Sequence, residues 1–526
     1  MLKPLWIISV ISLIVLIGCG DDNSSAPQST DTWQAGYYAP EASLKNFCEA
    51  PRTGIDPYTN RAYPDKVGSS MYEKLWLRSW SNDTYLWYRE LSDINPASYN
   101  VLQYFNLLKT DAITDSGALK DNFHFAENTA DYKKQTQSGV TSGYGIRWKY
   151  GSTRPPRSLT VAYTDPGSPA DLAGISRGDQ LLAINGIDFI SDNTQAGVDI
   201  INAALFPEQA GEQHQFRLQT IQGTIIDTTL SSADVASSPV QNVQVLNDNG
   251  VKTGYLQFNS HIALAQDQLI NAVQQFKNEN ISELVIDLRY NGGGLLALAS
   301  QLGYMVAGPN TIQGRIFEQM QFNDKTPSPN PTPFYDRKIN YEANRLTSTP
   351  LPTLELPRVF VLTTDATCSA SEAFVNGLRG VDLEVIQIGG KTCGKPYGFY
   401  PEDNCGTTYF TIQFSGINAK GFGDYPDGFT PKTSPQFAAD IKGCPVEDDL
   451  SHALGNSNEA MLNTALHYIN NGQCPVVATG LMARTLQTDA ISDGLAINTE
   501  DTRYRAILLE NKLNQPLLPT ASEEQP

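Results

Sequence analysis

The sequence predicts a multidomain α/β protein, with a helical N-terminal region, a middle domain and an α/β core carrying a strand-turn-helix site. Its 526 residues leave room for several domains, each with its own core. Strand-like and helix-like apolar runs alternate over residues 237–440. Within them, residues 283–288 are typical of a buried strand, and three glycines and an apolar helical run follow. This arrangement predicts a site at the glycine turn.

The chain begins with a short apolar stretch. Lys3 precedes the apolar residues 5–17, and Gly18 stands before Cys19. This pattern resembles a bacterial lipoprotein signal, and it predicts a signal peptide over residues 1–19 with lipid attached to Cys19. A membrane-spanning anchor is the alternative, but the apolar run is short for a bilayer. We therefore expect a lipid-anchored protein of the bacterial cell envelope that faces the periplasm or the exterior.

Composition divides the rest of the chain outside the core. Residues 20–36 are rich in Asp, Ser, Pro, Gln and Thr, which predicts a flexible tether. Residues 37–137 are predicted to be helical, and their aromatic residues recur at a spacing of three and four, which favours a packed core. A C-terminal helical region is expected over residues 441–516, and a disordered tail over residues 517–526.

The net charge excludes one class of function. Lys and Arg total 37 and Asp and Glu total 56, which gives a net charge of −19. Sequence-independent nucleic-acid binding requires a basic face, so nucleic acid is not an expected partner. The sequence contains no metal-ligand spacing, and neither a metal nor a cofactor is expected.

A serine and a lysine are the strongest candidates for chemistry. Ser369 precedes an apolar helical run, and Lys395 follows Ser369 by 26 residues. A serine hydroxyl needs a base, and a buried lysine with a lowered pKa can act as one without histidine. Ser369 is alternatively only a helix N-cap. The neighbouring Cys368 is a rival nucleophile, ranked below Ser369.

A histidine-based triad is the competing scheme. None of the five histidines lies in a sequence pattern that resembles a catalytic histidine, and His261, near the glycine strand, is the best of them. The glycine turn alternatively binds phosphate, but no Gly-Lys-Ser/Thr follows the glycines.

The middle block, residues 138–236, carries a second recognisable pattern. Gly143, Tyr144, Gly145 and Ile146 precede an Arg-Gly-Asp-Gln-Leu-Leu-Ala-Ile-Asn-Gly run. This block resembles a PDZ domain. The resemblance implies that the backbone N–H groups of this loop bind the terminal carboxylate of a peptide, which then adds as a strand to a sheet edge.

The motifs occur in an order that resembles the C-terminal processing (tail-specific) serine peptidases. The resemblance implies that Ser369 is the nucleophile and Lys395 the general base, in a peptidase core over residues 237–440. It also implies an oxyanion hole made by the N–H of Ala370 and a glycine N–H of Gly292 or Gly293. The sequence departs from the family at Phe399, where a glutamine that orients the lysine is common. The third catalytic residue therefore stays open.

Six cysteines remain after Cys19, an even number that predicts disulfides in an exported protein. Six cysteines allow 15 pairings. We expect Cys393 with Cys405, closing the loop after Lys395, and Cys444 with Cys474, closing the C-terminal region.

The function that follows is a membrane-anchored serine endopeptidase acting through an acyl-enzyme. Its PDZ-like domain is expected to recognise the free C-termini of protein or peptide substrates. An inactive tail-binding scaffold is the alternative, and Phe399 favours it. An acyl hydrolase of small esters shares the nucleophile, but it gives no reason for the PDZ-like domain.

Overall fold

The computed structural model describes residues 32–114, 116–138, 140–476 and 494–499 and the strand Leu508–Leu509. The predicted signal peptide with Cys19, most of the predicted tether and the predicted tail lie outside the described residues. Among the described helices, none has the length and apolarity needed to cross a membrane.

The N-terminal module, residues 37–138, packs an aromatic core on one long helix. Trp76 and Trp80, four residues apart on that helix, stack with ring centroids 5.3 Å apart and are almost fully buried. The aromatic residues thus form core, as predicted. The helices are α1 Glu41–Leu44, α2 Ser70–Thr84, α3 Val101–Asn106 and α4 Thr129–Ser138. The strands are β1 Phe47–Cys48, β2 Ile55–Asp56, β3 Arg61–Ala62, β4 Lys66–Val67 and β5 Phe125–Asn128.

The PDZ-like domain is a sheet with two helices around its own apolar core. Its strands lie in the order β12-β11-β9-β8-β7, so β7 is an edge strand, and β10 pairs with β9. The first and last strands, β6 and β13, pair with each other. The strands are β6 Val140–Gly143, β7 Ile146–Ser152, β8 Ser158–Thr164, β9 Gln180–Ile184, β10 Ile187–Asp188, β11 Gln213–Gln219, β12 Ile225–Ser231 and β13 Ala233–Ala236; the helices are α5 Pro169–Leu172 and α6 Gln195–Leu205.

The core domain is built on a seven-stranded sheet with the order β14-β15-β16-β22-β23-β29-β28. All its pairings are parallel except β14 with β15. The strands are β14 Val240–Asp248, β15 Val251–Phe258, β16 Glu283–Asp287, β22 Arg358–Thr363, β23 Glu384–Gly389, β28 Thr430–Lys432 and β29 Asp440–Pro445; the helices are α7 Ala265–Glu279, α8 Leu296–Ile312, α9 Ala370–Gly380 and α10 Ala460–Asn471.

Helices cover both faces of this sheet. Leu284 and Ile286 of β16 pack with α7, α8 and α9, whereas Val285 packs with α10 on the other face. Burial on both faces accounts for the continuous apolar run that marked β16 in the sequence. Because β29 extends to residue 445 and α10 covers the sheet, the core continues past the expected boundary at residue 440.

Short strands surround the main sheet. β18 pairs with β19 and β27, β27 pairs with β24, β20 pairs with β21, and β26 pairs with β25 and with β5 of the N-terminal module. β17 pairs with β30. Their bounds are β17 Gly294–Leu295, β18 Ile316–Phe322, β19 Thr332–Pro333, β20 Arg337–Asn340, β21 Arg345–Pro350, β24 Tyr397–Gly398, β25 Glu402–Asn404, β26 Thr407–Phe410, β27 Phe414–Ile417 and β30 Leu508–Leu509.

The parallel strands bring three loops to one edge of the sheet. The glycine turn follows β16, Ser369 follows β22, and Lys395 follows β23. Carboxyl ends of neighbouring parallel strands meet at one edge, so residues far apart in sequence converge there.

Two disulfides fix the periphery of the core. Cys444 of β29 bonds Cys474 beyond α10, the pairing expected from the sequence. Cys405 bonds Cys48 of the N-terminal module, so the expected pairing of Cys405 with Cys393 is wrong. The pairing of β5 with β26 holds the N-terminal module against the loop that follows Lys395, and this brings Cys48 to Cys405.

Candidate active site

Ser369 lies on a strained turn between β22 and α9. Its φ is +59° and its ψ −114°, a backbone conformation that is unfavourable for a residue with a Cβ. The side chain is fully buried, and Oγ has no hydrogen-bond partner among the residues that the structure describes. Ser369 stands at the N-cap position of α9, and Glu372 at the third helical position accepts its backbone N–H, as in a capping box. An N-cap residue normally has extended backbone angles, so the N-cap role does not account for the strained backbone of Ser369.

Glu372 connects the backbone of Ser369 with that of Lys395. Its Oε2 accepts the N–H of Ser369 at 3.0 Å and the N–H of Lys395 at 2.8 Å. Its Oε1 accepts the N–H of Gly394 at 2.8 Å and the hydroxyl of Thr392 at 2.5 Å. Burial raises the pKa of Glu372, against the effect of these four donors. This carboxyl group thus fixes the nucleophile turn relative to the lysine loop.

A disulfide joins the same two segments. Cys368 forms a disulfide with Cys393. Cys368 directly precedes Ser369, and Cys393 lies two residues before Lys395. The sequence predicted Cys405 as the partner of Cys393, and the convergence of the loops after β22 and β23 explains why Cys393 instead bonds Cys368. Cys368 therefore has no free thiol, and it is excluded as the rival nucleophile in this state. Glu372 lies within 4.8 Å of both sulfur atoms, but the disulfide already uses both thiols.

Lys395 is buried in an aromatic environment. Its side chain is 1% exposed, and Nζ lies 4.0 Å from the ring centroid of Phe399 and 4.9 Å from that of Phe123. Burial holds the pKa of Lys395 well below its usual range, although the carboxylates of Asp121 and Glu372 act in the opposite direction. The lowered pKa favours the neutral amine, which is the form that a general base needs. Phe399, the departure from the family pattern, packs directly against this amine.

Asp121 is a site residue that the sequence analysis missed. It is fully buried in the N-terminal module, where it accepts the hydroxyl of Tyr85 at 2.8 Å and the N–H of Phe123 at 2.9 Å. Among the charges that act on Lys395, its effect is the largest. Nothing in the local sequence distinguishes Asp121, because the pairing of β5 with β26 brings this segment towards Lys395.

The glycine turn packs directly on Ser369. Gly293 has a φ of +109°, and a Cβ there would lie 2.7 Å from the Cβ of Ser369. Only glycine fits this conformation and this close approach. The N–H of Gly293 donates to Oδ1 of Asn291 at 2.9 Å, and the carbonyl of Asn291 accepts the N–H of Cys368 at 3.0 Å. The turn and the nucleophile segment are thus hydrogen-bonded to each other.

His261 lies beside this turn. Its ring Nδ1 lies 3.0 Å from Oδ1 of Asn291, and its backbone N–H donates to the carbonyl of Gly293 at 2.9 Å. Burial lowers the pKa of His261 to about 4, so the ring is neutral at neutral pH. No histidine is hydrogen-bonded to Ser369, because Oγ of Ser369 has no partner. The Ser-His alternative lacks the contact that activates such a nucleophile.

The loop of the PDZ-like domain leads into the edge strand β7. Tyr144 of this loop is buried against Phe216, with ring centroids 5.1 Å apart. A Cβ at Gly145 would lie 2.2 Å from the Cβ of Ser168. A side chain at position 145 would clash with Ser168, so packing alone requires glycine here, whether or not its N–H binds a ligand. Gly143 and Ile146 flank the loop at the end of β6 and the start of β7.

Comparison with known proteins supports the predicted resemblance. Residues 252–398 match the model of peptidase family S41, and residues 160–204 match the model of a PDZ domain. A carboxyl-terminal-processing protease of Picosynechococcus sp. is 28% identical over 264 residues, which are 50% of this chain and 56% of that protein. Carboxyl-terminal-processing peptidase 2, chloroplastic, of Arabidopsis thaliana is 30% identical over 164 residues, 30% of this chain and 31% of that protein. The chain thus spans about half or less of these relatives.

The fold has a counterpart among solved structures. A putative S41 protease from Bacteroides fragilis aligns with a TM-score of 0.56 and 24% identity, over 78% of this chain and 98% of that chain. This similarity confirms the predicted fold, with a PDZ domain and an α/β core.

Proposed function

We propose that this chain, which carries a peptidase family S41 core and a PDZ domain, is a serine endopeptidase of the C-terminal processing type. One observation supports this above all. A buried serine with an unpartnered hydroxyl and a buried lysine with a lowered pKa are held by one carboxyl group, that of Glu372. A structural serine and a structural lysine require no such arrangement.

In the proposed reaction, Ser369 and Lys395 act as nucleophile and base. The neutral amine of Lys395 accepts the hydroxyl proton of Ser369 as Oγ attacks the peptide carbonyl carbon. The resulting ammonium then gives that proton to the leaving amine, and an ester remains on Ser369. Water, deprotonated by Lys395, attacks the ester and restores the hydroxyl.

The negative charge on the carbonyl oxygen needs backbone donors. Ala370 opens α9, so its N–H lies at the positive end of the helix dipole. The second donor is a glycine of the turn that packs on Ser369. Since Gly293 already donates to Asn291, the turn favours Gly292 for this role.

The PDZ-like domain supplies substrate selection in this proposal. The N–H groups of residues 143–146 bind a terminal carboxylate, and β7, the last strand in the order of this sheet, accepts the peptide as an added strand. Protein and peptide substrates with free C-termini are the class that this geometry fits.

The proposed location is the bacterial cell envelope. Acylation of Cys19 anchors the mature chain to a membrane, and residues 20–36 act as a tether that holds the peptidase in the periplasm or outside. The disulfides of the core suit such an oxidising compartment.

An inert tail-binding scaffold is the second candidate, and Phe399 is the observation that favours it. An aromatic ring replaces the polar residue that commonly orients the lysine, and it packs 4.0 Å from Nζ. Such a ring restrains the amine without accepting a hydrogen bond from it.

One experiment separates the two candidates. Wild type and Ser369→Ala are incubated with an unfolded protein substrate, and each is treated with a fluorophosphonate probe. A peptidase cleaves the substrate and is labelled only when Ser369 is present. Folded wild-type protein that neither cleaves nor reacts is a scaffold. Equal cleavage by both proteins would place the nucleophile elsewhere.

A further inference from the structure

The C-terminal part of the chain returns to the PDZ-like domain. The N–H of Asn498 donates to Oδ1 of Asn202 on α6 at 2.8 Å, and the N–H of Ile497 donates to the carbonyl of Thr153, next to β7, at 3.1 Å. The side chain of Ile497 is 4% exposed and belongs to the apolar core of that domain. This segment is therefore anchored between the far end of β7 and helix α6.

Ten residues further on, the chain lies beside the glycine turn that packs on Ser369. Leu508 and Leu509 form β30, which pairs in parallel with Gly294 and Leu295 of β17. Gly294 directly follows Gly293, the residue that packs against Ser369. β30 also packs against β24, which begins two residues after Lys395. The backbone of β30 thus lies between the oxyanion turn and the lysine loop.

Chain length permits both attachments at once. Ten residues extend at most about 36 Å, which is the scale of a small domain. A peptide that adds a strand to a sheet edge uses the edge's main-chain hydrogen-bonding groups, and two peptides cannot use one edge simultaneously. The edge that β30 occupies belongs to β17, whose first residue, Gly294, directly follows Gly293.

We propose that β30 is a built-in competitor, which follows a segment anchored on the PDZ-like domain at residues 494–499 and lies as an added strand on β17, close to Ser369, so that substrate must displace β30. This inference rests on the proposed function only in the identity of the displaced ligand, a polypeptide in extended form. The main chain of Leu508–Leu509 competes through its backbone hydrogen bonds to β17. Such bonds do not depend on the side chains of the peptide, and their affinity is modest.

Tethering makes a weak competitor effective. Two binding segments linked in one chain can reach an effective concentration of about 1 mM, so a segment with an intrinsic dissociation constant near 100 μM weakens a rival peptide about tenfold. The occupied state is thus favoured without being permanent, and a longer substrate held by the PDZ-like domain can displace β30.

The test measures binding and needs no catalysis. All proteins carry Ser369→Ala, so that the segment is not cleaved during the measurement. The probe is a fluorescein-labelled synthetic peptide with the sequence of residues 502–512, and its dissociation constant is measured by fluorescence anisotropy. The probe lacks residues 494–498, so it reports on the cleft. The control is the same peptide with proline in place of both Leu508 and Leu509, which lacks the backbone N–H groups that an added strand needs.

Four proteins are compared: the full chain, a chain ending at residue 499, a chain ending at residue 516, and a full chain with Leu508→Pro and Leu509→Pro. Prolines remove the N–H groups that a strand needs. We expect about tenfold tighter binding to the chain ending at 499 and to the proline variant. The full chain and the chain ending at 516, which keeps β30, should bind weakly.

Two results would overturn the proposal. Equal dissociation constants in all four correctly folded proteins, checked by circular dichroism, would mean that β30 does not compete. Tighter binding to both truncated chains, but not to the proline variant, would assign the effect to the last ten residues. Neither result bears on Ser369-dependent cleavage by the wild-type protein, which is tested separately above.

Discussion

The N–H of Lys395 donates to the carboxyl group of Glu372 at 2.8 Å, on the oxygen that also accepts the N–H of Ser369. The proposed base and nucleophile are therefore positioned by the same acceptor, although 26 residues separate them in the sequence. This relationship makes Glu372 a positioning residue whose replacement should affect both.

Glu372→Gln should lower activity and stability together. The amide keeps the volume, but its NH₂ group faces donors that need an acceptor, and a buried unsatisfied donor costs about 1–3 kcal/mol. We expect a loss of kcat with little change in KM and a lower thermal midpoint. The control is Glu384→Gln, which changes an exposed carboxylate. Unchanged kcat in Glu372→Gln would remove the positioning role.

Lys395→Ala should abolish cleavage while the protein stays folded. Loss of one member of a nucleophile–base unit costs roughly 10⁴-fold or more in kcat. Lys391→Ala is a matched control, because Lys391 lies in the same loop with an exposed side chain and should retain full activity. Near-normal cleavage by Lys395→Ala would contradict the dyad and turn attention to His261.

The rate should rise with pH as Lys395 loses its proton. Burial lowers the pKa of Lys395, so the rising limb should lie well below the usual lysine range. The negative charge of Asp121 favours the protonated amine and raises this pKa. In Asp121→Asn the pKa should fall, and the rising limb of kcat against pH should move to lower pH.

Asp121 and Glu372 are the two carboxyl groups that raise the pKa of Lys395, and the variant changes only the first of them. Glu372 is unchanged in Asp121→Asn, and Asp111→Asn is a control with an exposed aspartate of the same segment. The pH profiles of wild type and Asp111→Asn should coincide. An Asp121→Asn limb that stays in place, or moves to higher pH, would show that Asp121 does not act on the amine.

A free apolar C-terminus should favour cleavage. An unfolded substrate with such an end should have a KM about tenfold lower than the same chain with an amidated or Asp-Asp end, equivalent to roughly 1.4 kcal/mol. Gly145 is unsuitable for mutation because its neighbour Ser168 leaves no space. Ile146→Ala should instead reduce the preference, with the exposed Leu172→Ala as the control. Identical KM values for all ends would exclude terminal recognition.

Cys19→Ser should prevent lipidation. In cells fed radioactive palmitate, the wild-type chain should be labelled and the Cys19→Ser chain should not. Ser25→Ala, a change of similar size in the predicted tether, should be labelled like the wild type. Equal labelling of Cys19→Ser and wild type would exclude this cysteine as the attachment site.

Local patterns predicted the parts of the site that the chain builds locally. β16 with its glycine turn, Ser369 before α9 and the edge strand after residues 143–146 each lie within one continuous segment, where periodicity and glycine content are informative. The order of these motifs then identified the fold through a family resemblance.

Long-range partners were not predictable in the same way. The pairing of β5 with β26 determines where Asp121 lies, and nothing near Asp121 in the sequence encodes that pairing. The cysteine partners failed for the same reason, since Cys48 and Cys405 are 357 residues apart. A short loop made the pairing of Cys393 with Cys405 attractive, but the sheet places Cys393 beside Cys368.

The two disulfides next to the site imply that the covalent links around Ser369 and Lys395 are complete only after both bonds have formed. Cys368–Cys393 ties the nucleophile segment to the lysine loop, and Cys48–Cys405 ties the module that contains Asp121 to the same region. In the reducing interior of a cell neither bond persists. A newly made chain would therefore lack two covalent links around Ser369 and Lys395 until it reached an oxidising compartment, such as the cell envelope proposed above. Under that proposal, proteins of the cytoplasm would meet only the form without these links.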